Sequence, residues 1–297
     1  MHALMVTQTI RDHFPDATID FLVRDRFASI VERCQTVDNL IIFKRNDGPF
    51  GFLKLLKEIR KKRYDAVIDM QAQFRTGLMV AAAKSKLKIG RKDAREGSGI
   101  FCNHIIDLPA NPTPHQVDTF LQFLPVLGKP ATLGSPISFD TPAIETIDPK
   151  LATTPPVVMM PHSRGKEKEW PYFRELTHRI FKEMPHQTVV WDSHIAIPSE
   201  ELEDEPRFFN TTSKTTIPEM ISLVRDAAIV VSNDSGPMHI SAALAKPTIA
   251  LFGPTKIEKY GAYPLDSPRN ANIQSTTTDW SDVSVDRVFK ELKALLK

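Results

Sequence analysis

Strand-forming and helix-forming segments alternate along this chain, and they do so twice, on either side of a proline-rich stretch. In the first run, residues 3–14 read as an amphipathic helix with Leu4, Val6, Ile10 and Phe14 on its apolar side. Residues 18–23 read as a strand, 27–31 as a short helix and 37–43 as a strand. Residues 52–62 form a basic helix carrying Phe52, Leu55, Leu56 and Ile59 at helical spacing. Residues 64–70 contain Ala66-Val67-Ile68, a compact apolar strand of the kind buried on both faces of a parallel sheet. A helix starts at 78–83, a short strand covers 88–90, and a helix spans 114–127. Residues 141–156 hold Pro142, Pro149, Pro155 and Pro156 with little apolar periodicity, and read as a linker. The second run places strands at 157–160, 188–191, 229–232 and 248–252, with helices at 172–183, 217–226, 237–245 and 283–296.

Such alternation predicts an α/β chain of two doubly wound domains facing a cleft, residues 1–145 and 155–297, with the terminal helix packing back on the first domain. The first run opens inside a helix. The strand and tight turn that usually precede such a helix are therefore expected to be missing from the first sheet.

Composition narrows the function classes. With 41% hydrophobic and 25% charged residues over 297 positions, the chain is globular and long enough to bury a full core without disulfides. A net charge of +2 argues against a general nucleic-acid binder. Cys34 and Cys102 suggest neither a metal cluster nor a disulfide framework, which fits a reducing cytoplasm. The apolar runs are too short for a membrane span, and the first residues do not read as a signal peptide. Charge is uneven, however. Residues 54–95 carry 13 Lys/Arg against four Asp/Glu, which predicts either solvated helix faces or a surface for an anionic partner such as a phosphorylated lipid, a sugar acid or a membrane headgroup.

The most informative segment is 229–255, which reads mechanically as strand, polar turn, helix, strand, polar turn. Asp234 and Ser235 stand where an N-cap belongs, and Gly236 and the turn after it offer backbone donors at a helix start, a ready site for an anion. Pro237 suits a first helical turn, and His239 lies three residues into the helix. By themselves these residues also fit a plain helix cap with a packing histidine.

The whole segment closely resembles the signature of glycosyltransferase family 9, the ADP-heptose:lipopolysaccharide heptosyltransferases. That pattern is Asp-(Thr/Ser)-Gly-x-x-His, an Ala-Ala-Leu helix, a proline, and a Phe/Tyr-Gly-Pro-Thr/Ser turn. Asp234, Ser235, Gly236, His239, Ala242, Ala243, Leu244, Pro247, Phe252, Gly253, Pro254 and Thr255 match it. Lys168-x-Trp170-Pro171 is similar to the family's Lys-x-Trp-Pro, whose lysine faces the nucleotide diphosphate, with Ser163 and Arg164 on the loop before it. Asp69 to Gly77, Ile89-Gly90 and Ala94 to Gly97 resemble the acceptor-side domain.

The resemblance implies a GT-B architecture of two Rossmann-like domains and an inverting, metal-independent transferase that uses no cofactor. It moves heptose from ADP-heptose to the inner core of lipopolysaccharide. Lys168 is then the catalytic group on the leaving phosphate. Ser163, Arg164, Asp234, Ser235, Gly236, Met238 and His239 join it in the nucleotide-sugar site. Arg75 and Arg95 are expected to meet an anionic, lipid-linked saccharide acceptor. The enzyme would work in the cytoplasm, in peripheral contact with the inner membrane. The family's favoured base is the aspartate of a Gly-Asp-x-x-His turn. His2 stands at the motif's histidine, the glycine and aspartate would lie ahead of Met1, and no residue of the chain is assigned as general base. Trp191-Asp192-Ser193 replaces a glycine-bearing turn beside the nucleoside, with Glu200 or Glu201 as either a ribose or adenine partner or part of an acidic surface run. The wording Asn-Asp-Ser-Gly-x-Met-His leans toward a second-heptose-type enzyme. Two alternatives stay open: another nucleotide sugar or acceptor on the same fold, and a non-catalytic nucleotide-sugar-binding protein.

Overall fold

The computed structural model describes all residues from Met1 to Lys297. It separates into two compact units, His2–Ile137 and Ser138–Lys297, with Met1 grouped with the latter.

The first unit runs α1 (His2–His13), β1 (Asp20–Arg24), α2 (Ala28–Val31), β2 (Asn39–Phe43), α3 (Gly48–Ile59), β3 (Ala66–Ile68), α4 (Phe74–Ala82), β4 (Leu87–Arg91), β5 (His104–Ile106), α5 (Gln116–Leu121) and α6 (Phe123–Val126). All strand pairs are parallel, but they form two sheets rather than one: β1 with β2, and β3–β4–β5 in that order. One apolar cluster serves both. Phe43, Leu55, Ile59, Met79 and Ala83 pack with Leu22 and Ile41 from the first sheet and Val67 from the second. The starts of β1 and β3 are tied through Asp20, whose carboxylate accepts from Lys62 Nζ at 2.9 Å and Tyr64 Oη at 3.0 Å. Burial works against the Asp20 charge, and the hydrogen bonds from Lys62, Asn39 and Tyr64 outweigh it, holding the carboxyl below its ordinary range.

The second unit runs β6 (Val157–Met160), α7 (Phe173–Glu183), β7 (Val189–Trp191), β8 (Phe208–Asn210), α8 (Ile217–Asp226), β9 (Ile229–Asn233), α9 (Gly236–Ala243), β10 (Thr248–Phe252), α10 (Ile257–Tyr260), β11 (Asn270–Gln274) and α11 (Val285–Leu295). Its six strands are all parallel in the order β11-β10-β9-β6-β7-β8. Every residue of β6, β9 and β10 is buried, as helices on both faces of a parallel sheet require. The chain builds outward from β6 to β7 and β8, then returns to lay β9 against the other side of β6. The strand order therefore reverses between β6 and β9, and the crevice beyond their carboxyl ends is where such sheets bind ligands.

One expectation needs correction. Residues 141–156 are not a linker but part of the second unit. Ile144 and Leu151 are buried, Arg225 donates to Thr141 Oγ1 at 2.7 Å, and Ser222 donates to the Pro142 carbonyl at 2.7 Å. The prolines there shape an ordered strap against α8. The terminal helix α11 packs within its own unit: Val288, Phe289 and Leu292 are buried among Trp170, Leu176 and Ile249.

Candidate functional site

The switch point brings two sequence-distant loops together. Met160 of β6 pairs with Ser232 of β9, so the loop after β6 and the turn after β9 leave the sheet side by side. From the first comes Lys168, on a tight turn over Lys166–Lys168. From the second comes Asp234. Lys168 Nζ lies 2.7 Å from Asp234 Oδ2; the lysine side chain is 29% exposed and the aspartate 8%. At such depth the charge is only partly screened by water, and another anion must compete with Asp234 for it.

Ser235 is the N-cap residue of α9, yet its side chain makes no capping bond and its hydroxyl meets Ser232 Oγ at 3.1 Å instead. Asp234, the other expected cap, is spent on Lys168. The first turn of α9 thus presents backbone N–H groups that neither side chain caps, next to a lysine ammonium. Gly236 is exposed and His239 half-buried on that turn. Gly253 closes the far side. A Cβ at Gly253 would sit 2.5 Å from the Glu167 carbonyl, so only glycine lets the end of β10 approach the turn that carries Lys168.

The other expected residues divide. Ser163 is buried, and its hydroxyl donates to the Asp234 carbonyl at 2.9 Å, so it joins the two loops. Arg164 is exposed on the same loop. Met238 lies in the first turn of α9 with its side chain fully buried among Ala242, Ala250, Phe252 and Ala262, so only its backbone faces the turn. Glu201 pairs with Arg174 of α7 at 2.8 Å and lies in a surface ion pair.

Sequence reasoning placed Asp192 in a turn after β7 but did not foresee its burial. Asp192 is only 1% exposed and accepts from Thr211 Oγ1 at 3.1 Å and Thr215 Oγ1 at 2.8 Å. Burial pushes its carboxyl up to about 6, helped by the charge of Glu219 and opposed by those hydroxyls and the Ser193 amide. Also missed was a pair of rings at the same sheet edge. His162 and His194 stand edge to face at 4.7 Å, and His162 Nδ1 lies 2.7 Å from Glu169 Oε1. No signal but the position of these residues directly after strands marks them. No group of three or more His, Cys, Asp or Glu side chains is placed to hold a metal ion.

In the first unit, Arg75 stands in the first turn of α4, after β3, and Arg95 on the loop after β4. The Arg95 amide donates to the Ala72 carbonyl at 2.9 Å, and Glu96 accepts from the Phe74 amide at the start of α4. Arg95 is exposed, whereas the Arg75 guanidinium lies 5.1 Å over the Phe43 ring. Asp69 shapes the turn between β3 and α4, accepting from the Gln71 and Ala72 amides and from Thr76 Oγ1.

An order-reversing parallel sheet with helices on both faces defines a Rossmann-type unit, and its switch point brings a lysine and a helix start together. The chain belongs to glycosyltransferase family 9 (heptosyltransferase), which it matches over residues 52–290. It is 27% identical over 270 residues to the lipopolysaccharide core heptosyltransferase OpsX of Haemophilus influenzae, covering 84% of this chain and 74% of the relative. To lipopolysaccharide heptosyltransferase 3 of Escherichia coli it is 25% identical over 268 residues, with 84% and 78% covered. Among solved structures it resembles E. coli heptosyltransferase WaaC with ADP at a TM-score of 0.77 and 21% identity, covering 98% of this chain and 94% of that one. Its fold is thus GT-B, with two Rossmann-like units.

Proposed function

We propose that this glycosyltransferase moves a heptose from ADP-heptose to the inner core of lipopolysaccharide, with inversion at the anomeric carbon. One observation carries the reading: Lys168 and the start of α9 converge at the switch point of a family 9 chain. OpsX and the heptosyltransferases named with it support the acceptor class, and the ADP complex of WaaC supports the nucleotide.

In this reading the acceptor hydroxyl oxygen attacks the anomeric carbon as the bond to the diphosphate breaks, and its proton passes to a general base that is not assigned to a residue of this chain. Negative charge grows on the departing phosphate oxygen. The Lys168 ammonium, drawn from Asp234, and the N–H groups of the first turn of α9 stabilise that charge, with His239 donating from the same turn. Ser163 and Arg164 line the loop side of the diphosphate. Arg75 and Arg95 receive the anionic saccharide. The test is ADP release from ADP-heptose with a heptose-lacking lipid acceptor, followed by identification of the extended product. Lys168→Ala lowers turnover by about 2–4 kcal/mol in barrier, the scale of one lost transition-state donor. Turnover with another nucleotide sugar in preference to ADP-heptose would overturn the donor assignment.

We also infer that the enzyme works at the cytoplasmic face of the inner membrane, in peripheral contact with it. No helix is long and apolar enough to cross a membrane. Support comes from α3, where Phe50 is 87% and Leu53 54% exposed, followed by Lys54, Lys57, Arg60 and Lys61. Exposed apolar groups flanked by lysines suit an anionic lipid surface. Phe50→Ser with Leu53→Ser abolishes sedimentation with anionic vesicles; unchanged sedimentation would refute the contact.

A further inference from the structure

One buried side chain at the switch point belongs to neither the core nor the residues that face a ligand. Asn233, the last residue of β9, is fully buried, and its amide uses both ends. Its Oδ1 accepts from the Trp170 backbone amide at 3.0 Å, and its Nδ2 donates to the Pro161 carbonyl at 2.7 Å. Pro161 directly follows β6, and Trp170 comes just before α7. A single planar amide therefore clasps both ends of the loop that carries Ser163, Arg164 and Lys168.

The other loop contacts depend on that clasp. Trp170 is locked in the core by its own indole N–H, which donates to the Val283 carbonyl at 2.8 Å. Ser163 Oγ reaches Asp234, the residue after Asn233. The Lys166–Lys168 turn rests against Gly253. With both ends fixed to β9, the lysine turn has one place to go, and Lys168 Nζ arrives at Asp234 Oδ2.

We propose that Asn233 is a positioning residue for Lys168: it sets the loop so that the ammonium stands at the start of α9, where the leaving phosphate is expected. This rests on the reading that Lys168 stabilises that phosphate. Asparagine is the residue the geometry requires. Aspartate offers two acceptors and would face the Pro161 carbonyl with a like partner. Leucine, of similar shape, would leave the buried Trp170 N–H without a partner.

The test is a double-mutant cycle on the full chain, measured as kcat for ADP release from ADP-heptose with a heptose-lacking lipid acceptor. The variants are Asn233→Ser, Lys168→Ala and the pair, each checked for folding by tryptophan fluorescence. Asn233→Ser lowers kcat at least tenfold and changes the acceptor KM less than twofold. In the Lys168→Ala background it lowers kcat less than threefold, because there is no ammonium left to place. Equal fold losses in both backgrounds would overturn the proposal and leave Asn233 as a stability residue. If Lys168→Ala itself leaves kcat unchanged, the reading of the site fails instead, and the two failures are told apart. Should Asn233→Ser fail to fold, Asn233→Asp reads the same point through pH. A protonated carboxyl regains the donor to Pro161, so the ratio of wild-type to variant kcat falls as pH drops from 8 to 5.5. A ratio constant across that range would refute the role.

Discussion

Asp192→Asn isolates the electrostatic cost of a charge buried beside the candidate site. Asp192 is 1% exposed, and its folded carboxyl titrates at about 6 against an ordinary 3.8. Its pKa is raised, so between those values the folded state holds a proton that the unfolded chain has released. Native stability therefore falls as pH rises through this window. The favourable contribution is complete below about 3.8 and gone above about 6. A displacement of roughly two pH units at ~1.4 kcal/mol each gives about 3 kcal/mol. Asparagine keeps an oxygen that can accept from Thr211 and Thr215, which both bond Oδ1, and carries no charge to bury. The variant should thus gain on the wild type by about 3 kcal/mol between pH 4 and pH 7.5. Urea unfolding followed by tryptophan fluorescence suits the measurement, because Trp170, Trp191 and Trp280 all lie in the second unit and report on it alone. A difference between the two proteins that stays flat across this range, or one that grows toward low pH, would refute the assignment of the shift to burial of this carboxyl.

Other expected outcomes reach the remaining parts of the molecule. Neutralising Arg75 or Arg95 raises the acceptor KM and flattens its dependence on salt while donor KM holds within twofold; an equal rise in donor KM would move both residues out of the acceptor surface. Gly253→Ala drives a methyl toward the Glu167 carbonyl, 2.5 Å from the ideal Cβ, and should lower kcat with little change in the fold; wild-type kcat would show that the Lys168 turn tolerates displacement. Hydrogen exchange should separate the sheets. The amides of β9, paired on both sides, exchange slowest, and those of β1 and β3, each paired on one side, exchange much faster; equal protection would contradict the two-sheet arrangement of the first unit.

Much of the second unit was legible because its central strands are short, largely apolar and followed by polar turns. A run such as Val157–Met160 or Thr248–Phe252 has one use in an α/β chain, and the periodicity that marks it is also the burial observed. Lys168 and Asp234 were legible as residue types at a sheet edge, but their pairing was not, since 66 residues separate them and only the β6–β9 register brings them together. The 141–156 strap was misread because proline frequency outweighed Ile144 and Leu151, two isolated apolar anchors without a period. The inward turn of the Met238 side chain was not legible for the opposite reason: it stands among polar motif residues, while helix geometry points it at the core.

Asn233 shows why a sequence pattern hides a buried side chain that ties two loops together. In a strand that reads Ile-Val-Val-Ser-Asn, the asparagine looks like the first polar residue of a turn. Folded, it is fully buried, and its cost there is offset only because both ends of the amide meet backbone groups of another loop. Those groups belong to Pro161 and Trp170, more than 60 residues earlier in the chain. A lysine on a flexible loop would have to be ordered at the moment charge develops on the leaving phosphate, and that ordering would subtract from its stabilising effect. Clasped at both ends, packed against Gly253 and already beside Asp234, Lys168 pays that ordering entropy during folding instead. If Lys168 meets the leaving phosphate as proposed, the fold's contribution to the reaction is the fixed position of one ammonium, and the side chain that fixes it is the one a motif search would pass over.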